Sequence, residues 1–445
     1  MQDIISAIST ANGTGGVAII RISGDGALSL ASKMFKPVGK VKVENFEPYR
    51  MYVGEIDGGD FTDFGMMVYF KGPKSYTGED MVEFHSHGGI AIQKGILKQT
   101  FRLGAVPATR GEFTKRAFVN GKLSLDGAEG LISMINSESV ASVKLGYGLY
   151  REKLNAKVSA LQDALTFSLA SINADIDYPE EDLEELALNS VVDTLKNTVT
   201  EIDALISKYN SGAKIISGVK VAIVGKPNTG KSSLLNAILN YDKAIVSSVA
   251  GTTRDVVEGS AEIGGVTFNF YDTAGIHTSN DEIELQGIER SQKFLKSADV
   301  VLLTFDASKP FTAEDGEITA SCTGKNVIKV YNKHDLGFTS DFTDGITISA
   351  KTGEGIPALK QALYDAAFTE GIDFNAEFIT EERHLRALEL AKQNALEAIN
   401  NVGLVPLDLI SEDIRKVWDN LGEITGETAT EEIINEIFSK FCVGK

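Results

Sequence analysis

Gly225-Lys226-Pro227-Asn228-Thr229-Gly230-Lys231-Ser232 has the composition and spacing of a phosphate-binding loop. The glycines let main-chain N–H groups converge on phosphate oxygens. The Lys231 ammonium can neutralise the β- and γ-phosphates, and the Ser232 hydroxyl can ligand Mg²⁺. Asn228, Thr229, Gly230 and the following Ser233 fall in the same phosphate-contacting run. An apolar stretch, Val219 to Val224, reads as a strand entering the loop, and Ser233-Leu234-Leu235-Asn236-Ala237 reads as a helix leaving it.

Three further segments select the base and complete the phosphate site. Phe268 to Tyr271 reads as a strand ending in Asp272-Thr273-Ala274-Gly275. There an acid can hold Mg²⁺ through water, and the Gly275 N–H can reach a γ-phosphate. Val327 to Tyr331 reads as another strand and runs into Asn332-Lys333-His334-Asp335. The Asp335 carboxylate can accept from N1–H and the exocyclic amine of guanine, whereas adenine would leave it unpaired. Ser349-Ala350-Lys351 follows a short β-rich run, Gly345 to Ile348, where a backbone N–H can meet guanine O6. Four segments in this order, each at the end of a predicted strand, specify a GTP-hydrolysing unit. Ras-like enzymes place a water-orienting Gln after the second segment. Here the residue is Ile276, so catalytic help must come from elsewhere in the chain, from a partner or from a bound ion.

The elements around this unit change character along the chain. Residues 1–118 mix β-rich runs (Gly16 to Ser23, Gly65 to Phe70, Asp80 to Phe84) with a helical stretch from Ile90 to Leu103, an α+β pattern. Residues 119–216 are helical, with Leu195, Val199, Ile202 and Ile206 on one face, until Ser217-Gly218 breaks the pattern. The strand–loop–helix alternation of the GTPase occupies 217–371. Helices return over 372–445, where Leu388, Ala391, Ala395 and Ile399 share one face and Ile410, Ile414, Val417 and Leu421 another. Thr428-Ala429-Thr430-Glu431 has the spacing of a capping box for a last helix. The expected architecture is multidomain: an α+β N-terminal domain, then an all-α central domain into which an α/β P-loop GTPase domain is inserted.

Composition narrows the setting. No run approaches the length of a membrane span, and the start lacks a signal peptide, which points to a cytoplasmic protein and away from a membrane transporter. Two cysteines, Cys322 and Cys442, argue against a disulfide framework. The formal net charge of −19 excludes a globally basic surface, so any nucleic acid must meet a local patch or a partner that supplies positive charge.

Several longer motifs lie in register across the chain: Gly16 to Gly24 with Arg21 inside it, Tyr76 to Gly89, Gly111 to Leu123, Ala250-Gly251-Thr252-Thr253-Arg254-Asp255, and the terminal Phe441-Cys442-Val443-Gly444-Lys445. Together they resemble the MnmE (TrmE) family of tRNA-modification GTPases from end to end. The resemblance implies K⁺-stimulated GTP hydrolysis, with K⁺ held by Asn228 and by oxygens of Ser247, Val249 and Thr252, doing the work of an arginine finger. It assigns Thr253 with Ser232 to Mg²⁺, places Ser247 and Thr252 beside the nucleotide, and makes Glu284 the water-orienting acid that acts with Lys231 and Asn228. It implies a tetrahydrofolate derivative (5-formyl- or methylene-) bound by Arg21, Glu83, Lys122 and Lys445, with Cys442 nearby as a redox or nucleophilic group. Val443 stands where the family usually has Ile. Homodimerisation through the N-terminal domains, an FAD-containing partner (MnmG or GidA) and tRNA complete the implied assembly. Its reaction would be C5 modification of the wobble uridine at tRNA position 34, giving carboxymethylaminomethyl- or aminomethyl-uridine.

Bland readings compete at several positions. Asn228 can simply stabilise a turn, Glu284 can belong to a solvated acidic face with Asp281 and Glu282, and Cys322 reads as a passive, partly buried thiol. His85 and His87 form an H-x-H pair without companion ligands and read as a glycine-bounded turn rather than a metal site. The rival function is a regulatory GTPase switch that docks to a ribosome or RNA without covalent chemistry. The folate-site residues and the terminal Cys442 to Lys445 separate the two, because a switch has no use for either.

Overall fold

The computed structural model describes residues 3–177, 184–240, 259–272, 294–338, 344–369, 371–373 and 377–445. They divide into two compact units, one of Met1–Ile132, Gly148–Val199 and Arg386–Lys445, the other of Ser133–Tyr147 and Thr200–Leu385.

The first unit holds a seven-stranded sheet formed by β1 (Ile5–Ile8), β2 (Gly15–Ser23), β3 (Phe35–Pro37), β4 (Met51–Asp57), β5 (Thr62–Phe70), β6 (Met81–Gly88) and β7 (Val106–Pro107). The order is β3-β4-β5-β6-β2-β1-β7, antiparallel except for the short β1–β7 pair. Alternation sets its two faces. Ile20, Ile22, Met67, Val82 and Phe84 point inward and are buried with Leu30 and Ala31 of the helix Ala27–Ser32 and Ile96 of the helix Ile90–Arg102. The opposite face keeps Val17, Met51, Val53 and Phe64 exposed. It also carries Arg21, which lies directly across from Glu83 in the β2–β6 register. His85 and His87 correct the sequence reading. They continue β6 in strict alternation up to Gly88, so the strand absorbs what looked like a turn.

In the same unit the helix Leu407–Thr425 packs along Lys153–Asp177, and Ile410, Ile414, Val417 and Leu421 are fully buried, as their spacing predicts. The last helix, Glu431–Ser439, is capped by Thr430, whose hydroxyl accepts from the Ile433 N–H. Thr428, the expected cap, instead donates to the Asp419 carbonyl at 2.6 Å. The helix therefore starts two residues later than the capping-box reading. On the helix Glu184–Ser207 the buried stripe is Val191, Leu195, Thr198, Ile202 and Leu205, rotated slightly so that Val199 and Ile206 flank it half-buried.

The second unit is a six-stranded sheet of order β13-β12-β11-β8-β10-β9. Its strands are β8 (Val219–Val224), β9 (Gly259–Ile263), β10 (Val266–Asp272), β11 (Val300–Asp306), β12 (Val327–Asn332) and β13 (Ile346–Thr347). All neighbours are parallel except β9–β10 at one edge. The continuous apolar runs of β8 and β11 are buried on both faces, as a covered parallel sheet requires. The helices Lys231–Asn240 and Ile356–Ala367 contribute Leu234, Ile238, Leu359 and Leu363 to one buried layer, while Ile318 and Cys322 belong to the cluster on the other side. Gly218, at φ 79°, ends the helix Tyr209–Ser217 and turns the chain into β8.

Candidate functional site

The parallel strands deliver the phosphate loop, Asp272 and the segments that begin at Asn332 and Ser349 to the same C-terminal edge of the second unit, where open α/β sheets bind ligands. The phosphate loop leaves β8 and enters the helix Lys231–Asn240. Its course needs glycine at two points. A Cβ on Gly225 would lie 2.3 Å from the Thr304 carbonyl oxygen, and one on Gly230 would lie 2.4 Å from the Asn332 amide nitrogen. Thr229 is buried and donates to the Lys226 carbonyl at 3.0 Å. Lys231 is also buried, with Nζ donating to the carbonyls of Gly225 (2.9 Å) and Lys226 (3.0 Å), so its ammonium sits inside the loop's own curve. Asn228 adopts a left-handed conformation (φ 66°) with its side chain exposed. Ser232 and Ser233 lie exposed on the helix's first turn.

Asn332 is the hub. Its Nδ2 donates to the Thr229 carbonyl at 3.0 Å, and its Oδ1 accepts from the N–H groups of Lys333 (2.8 Å) and Ala350 (3.0 Å). One buried amide thus ties the phosphate loop to the segments Asn332 to Asp335 and Ser349 to Lys351. Asp335 is exposed, and its Oδ1 accepts from the buried Ser349 hydroxyl at 2.7 Å, which fixes the carboxylate's orientation. Gly230, Ser233, Asn332, Lys333, Asp335 and Lys351 line a cavity of about 720 Å³, ample for a purine nucleoside. Asp272 ends β10 as expected. Ser247, Val249, Thr252, Thr253, Thr273, Ala274, Gly275, Ile276 and Glu284 lie outside the described residues, as does the side chain of Asp272.

The first unit brings another set together. Arg21 Nε and Nη2 both lie 2.9 Å from Glu83 Oε1, and its Nη1 donates to the Gly444 carbonyl at 3.3 Å. The guanidinium also faces the Tyr76 and Phe113 rings, at 5.4 and 5.6 Å from their centroids. Burial alone would raise the Glu83 pKa, but the hydrogen bond from His85 (3.3 Å) and the Arg21 charge outweigh it and hold the carboxyl below its ordinary range. The C-terminal tail reaches this pair because Val443 bridges to Arg110 and the Ser9 hydroxyl donates to the Gly444 carbonyl at 3.0 Å. Gly444 is obligatory there, with φ 98° and a notional Cβ 2.2 Å from the Ile8 carbonyl oxygen. Lys445 therefore follows directly on the residue that Arg21 grips. Lys122 lies against Gly78, in the loop that joins Tyr76 to β6. Cys442 is exposed, with its carbonyl accepting from the Gly111 N–H, whereas Cys322 is buried and its thiol pKa is pushed up by burial.

Sequence reasoning missed Tyr76 and Phe113 as the walls around Arg21, and His85 and Ser9 as supports. It also missed Lys226, which donates to Asp315 (2.6 Å) and Thr312 (2.8 Å). The alternation of a single strand could have found His85, because it stands two residues from Glu83 on the same face; the others are joined across long stretches of chain.

A parallel sheet whose strand ends carry a glycine phosphate loop, an Asn-Lys-His-Asp segment and a Ser-Ala-Lys segment defines a P-loop GTPase. Among solved structures the chain is similar to Aquifex aeolicus Era bound to GDP.AlF4- (30% identity, 39% of this chain and 65% of that one, TM-score 0.29). Residues 4–122 match the model of the GTP-binding protein TrmE N-terminus, and residues 125–442 match that of the MnmE helical domain. Over its full length the chain is 40% identical to the tRNA modification GTPase MnmE of Thermoanaerobacter pseudethanolicus, covering 99% of that protein. It is 39% identical over its full length to that of Geotalea uraniireducens, covering 100% of it. The chain belongs to the MnmE family of tRNA modification GTPases. It is a GTP hydrolase acting in tRNA modification, and among the described residues no helix is long and apolar enough to cross a membrane.

Proposed function

We propose that the chain hydrolyses GTP with K⁺ stimulation and, with an FAD-containing partner, takes part in C5 modification of the tRNA wobble uridine. The one-carbon unit comes from a tetrahydrofolate, and the products are carboxymethylaminomethyl- or aminomethyl-uridine. The observation that carries this reading is the convergence of Arg21, Glu83 and the C-terminal tail at one place. A reduced folate suits that place. Its amino-pyrimidine edge presents paired donors to a carboxylate, its flat rings can lie against Tyr76 and Phe113, and its glutamate tail is anionic and seeks Arg or Lys. Tetrahydrofolate, when bound, supplies the carbon. Glu83 and Arg21 orient it, Lys122 and Lys445 meet the anionic end, and the exposed Cys442 stands close in sequence to the gripped Gly444.

In the GTPase unit, Asp335 reads the base, Lys231 meets the phosphates and the Ser232 hydroxyl offers Mg²⁺ a ligand, with Thr253 as its partner. The exposed side chain of Asn228 is an oxygen donor at the loop's apex and suits K⁺, with Ser247, Val249 and Thr252 supplying the remaining oxygens. Glu284 orients the attacking water. The exposed apolar side chains Val17, Val53 and Phe64 on one face of the first unit's sheet support a homodimer in which a second copy covers them. A net charge of −19 leaves the FAD-containing partner to supply much of the tRNA contact.

Reduced-folate binding to the full chain, compared with a chain ending at Phe441 and with Arg21→Ala, tests the reading. Saturable binding weakened at least tenfold by both changes is the expected result. Equal binding by all three would overturn it and favour a switch without covalent chemistry.

A further inference from the structure

The segment after β11 makes no contact with nucleotide in any motif read from the sequence, yet it grips the phosphate loop at two points. Asp306 closes β11, directly opposite Asn332 in the β11–β12 register. Its side chain is only 10% exposed. One oxygen accepts from the Ser308 N–H (3.2 Å) and hydroxyl (2.6 Å). The other accepts from Lys333 Nζ at 2.8 Å. The same Lys333 ammonium donates to the carbonyl oxygen of Asn228 at 2.5 Å. A relay therefore runs from a fixed carboxylate through one ammonium to the apex of the loop. Lys333 and Asn228 both hold left-handed backbone conformations (φ 67° and 66°), uncommon for residues with side chains, though Asn adopts them more readily than Lys. Further along, Asp315 (5% exposed) accepts from Lys226 Nζ at 2.6 Å while capping the helix Ala313–Ser321.

We propose that Asp306 is a positioning residue for GTP binding and hydrolysis, acting through Lys333 to hold the Asn228 turn of the phosphate loop, with Asp315 bracing the loop's entry through Lys226. Burial raises the Asp306 pKa and the hydrogen bonds from Lys333 and Ser308 more than offset this, so the carboxylate stays charged at neutral pH. A charged acceptor is needed, because a neutral amide would hold the ammonium far more weakly. Asp306 itself need not touch the nucleotide. Its effect should show as faster release of nucleotide and a lower hydrolysis rate rather than as altered base choice, which rests with Asp335.

The test is a double-mutant cycle on the full chain, read by GDP dissociation rate with the GTP/ITP preference as a second readout. Asp306→Asn, which keeps the shape of the side chain, should speed GDP release by about tenfold. In a Lys333→Met background the same change should add less than about twofold. The GTP/ITP preference should stay constant. If Asp306→Asn fails to fold, Ser308→Ala takes its place: it withdraws the Ser308 hydroxyl from the carboxylate's other oxygen, and must act in the same direction, by a smaller factor, and only when Lys333 is present. An unchanged release rate, or effects that simply multiply in the double variant, would overturn the proposal.

Discussion

Asn332→Ala is the substitution that most directly tests how the GTPase site is organised. The side chain is 1% exposed and makes three well-formed hydrogen bonds, one to the Thr229 carbonyl and two from the N–H groups of Lys333 and Ala350. At about 1 kcal/mol net for each, removing them costs roughly 3 kcal/mol, with more if the two N–H donors find no water. All three bonds join loops that must be in place before nucleotide binds, so most of this loss should appear in affinity. The expected change is a roughly 100-fold weakening of GDP binding. Displacement of a fluorescent GDP measures it, with thermal unfolding followed in parallel. Gly230→Ala attacks the same junction from the other side, because its Cβ would meet the Asn332 amide nitrogen at 2.4 Å, and it should weaken GDP to a similar degree. Reduced-folate binding, which we propose for the other unit, should be unaffected by either change. An Asn332→Ala protein that binds GDP within threefold of native, with an unchanged melting temperature, would refute the reasoning.

Other consequences follow from the same geometry. Asp335→Asn removes the acceptor for guanine's two donors and should weaken GTP by on the order of 100-fold or more while improving xanthosine triphosphate, whose 2-carbonyl can accept from the new amide; competition binding decides it. Gly444→Ala, forced against the Ile8 carbonyl, should dislodge the tail from Arg21 and reduce reduced-folate affinity at least tenfold, with GTP hydrolysis retained in an equilibrium-binding and turnover comparison. Because the folded Glu83 pKa lies below its ordinary 4.5, its pairing stabilises the first unit fully above pH 4.5 and is lost only as pH falls past that value toward the folded pKa. Acid unfolding should therefore show an added loss below that point that Glu83→Gln abolishes. Finally, GTP hydrolysis should be much faster in KCl than in NaCl at equal ionic strength, and Asn228→Ala should erase the difference; equal rates in both salts would remove the ion from the mechanism.

The GTPase unit was legible because its chemistry is local. The loop from Gly225 to Ser232, the Asn332 to Asp335 turn and Ser349 to Lys351 each sit at the end of one apolar strand, and sequence order carries the strand ends to one edge of the sheet. The residues proposed to bind folate were singled out only through family resemblance. Arg21 and Glu83 face each other across β2 and β6, and Gly444 joins them from the far end of the chain, so no spacing rule connects the three. Tyr76, Phe113 and Asp306 escaped for the same reason: each acts through a contact whose partner is distant in sequence. The H-x-H pair was misread because glycines at its C-terminal side suggested a turn, whereas pairing with both β2 and β5 holds His85 extended. Thr428 lost the capping role to Thr430 because its own hydroxyl is taken by the Asp419 carbonyl.

The most direct test of the central claim is a reconstitution with the full chain, its FAD-containing partner, unmodified tRNA, GTP and a tetrahydrofolate carrying an isotopic label on the one-carbon unit. The account predicts label at C5 of the wobble uridine, dependent on GTP and on K⁺, and lost with Arg21→Ala although that variant still hydrolyses GTP. Modified uridine without label, or GTP turnover at the full native rate with no modification under any condition, would contradict it.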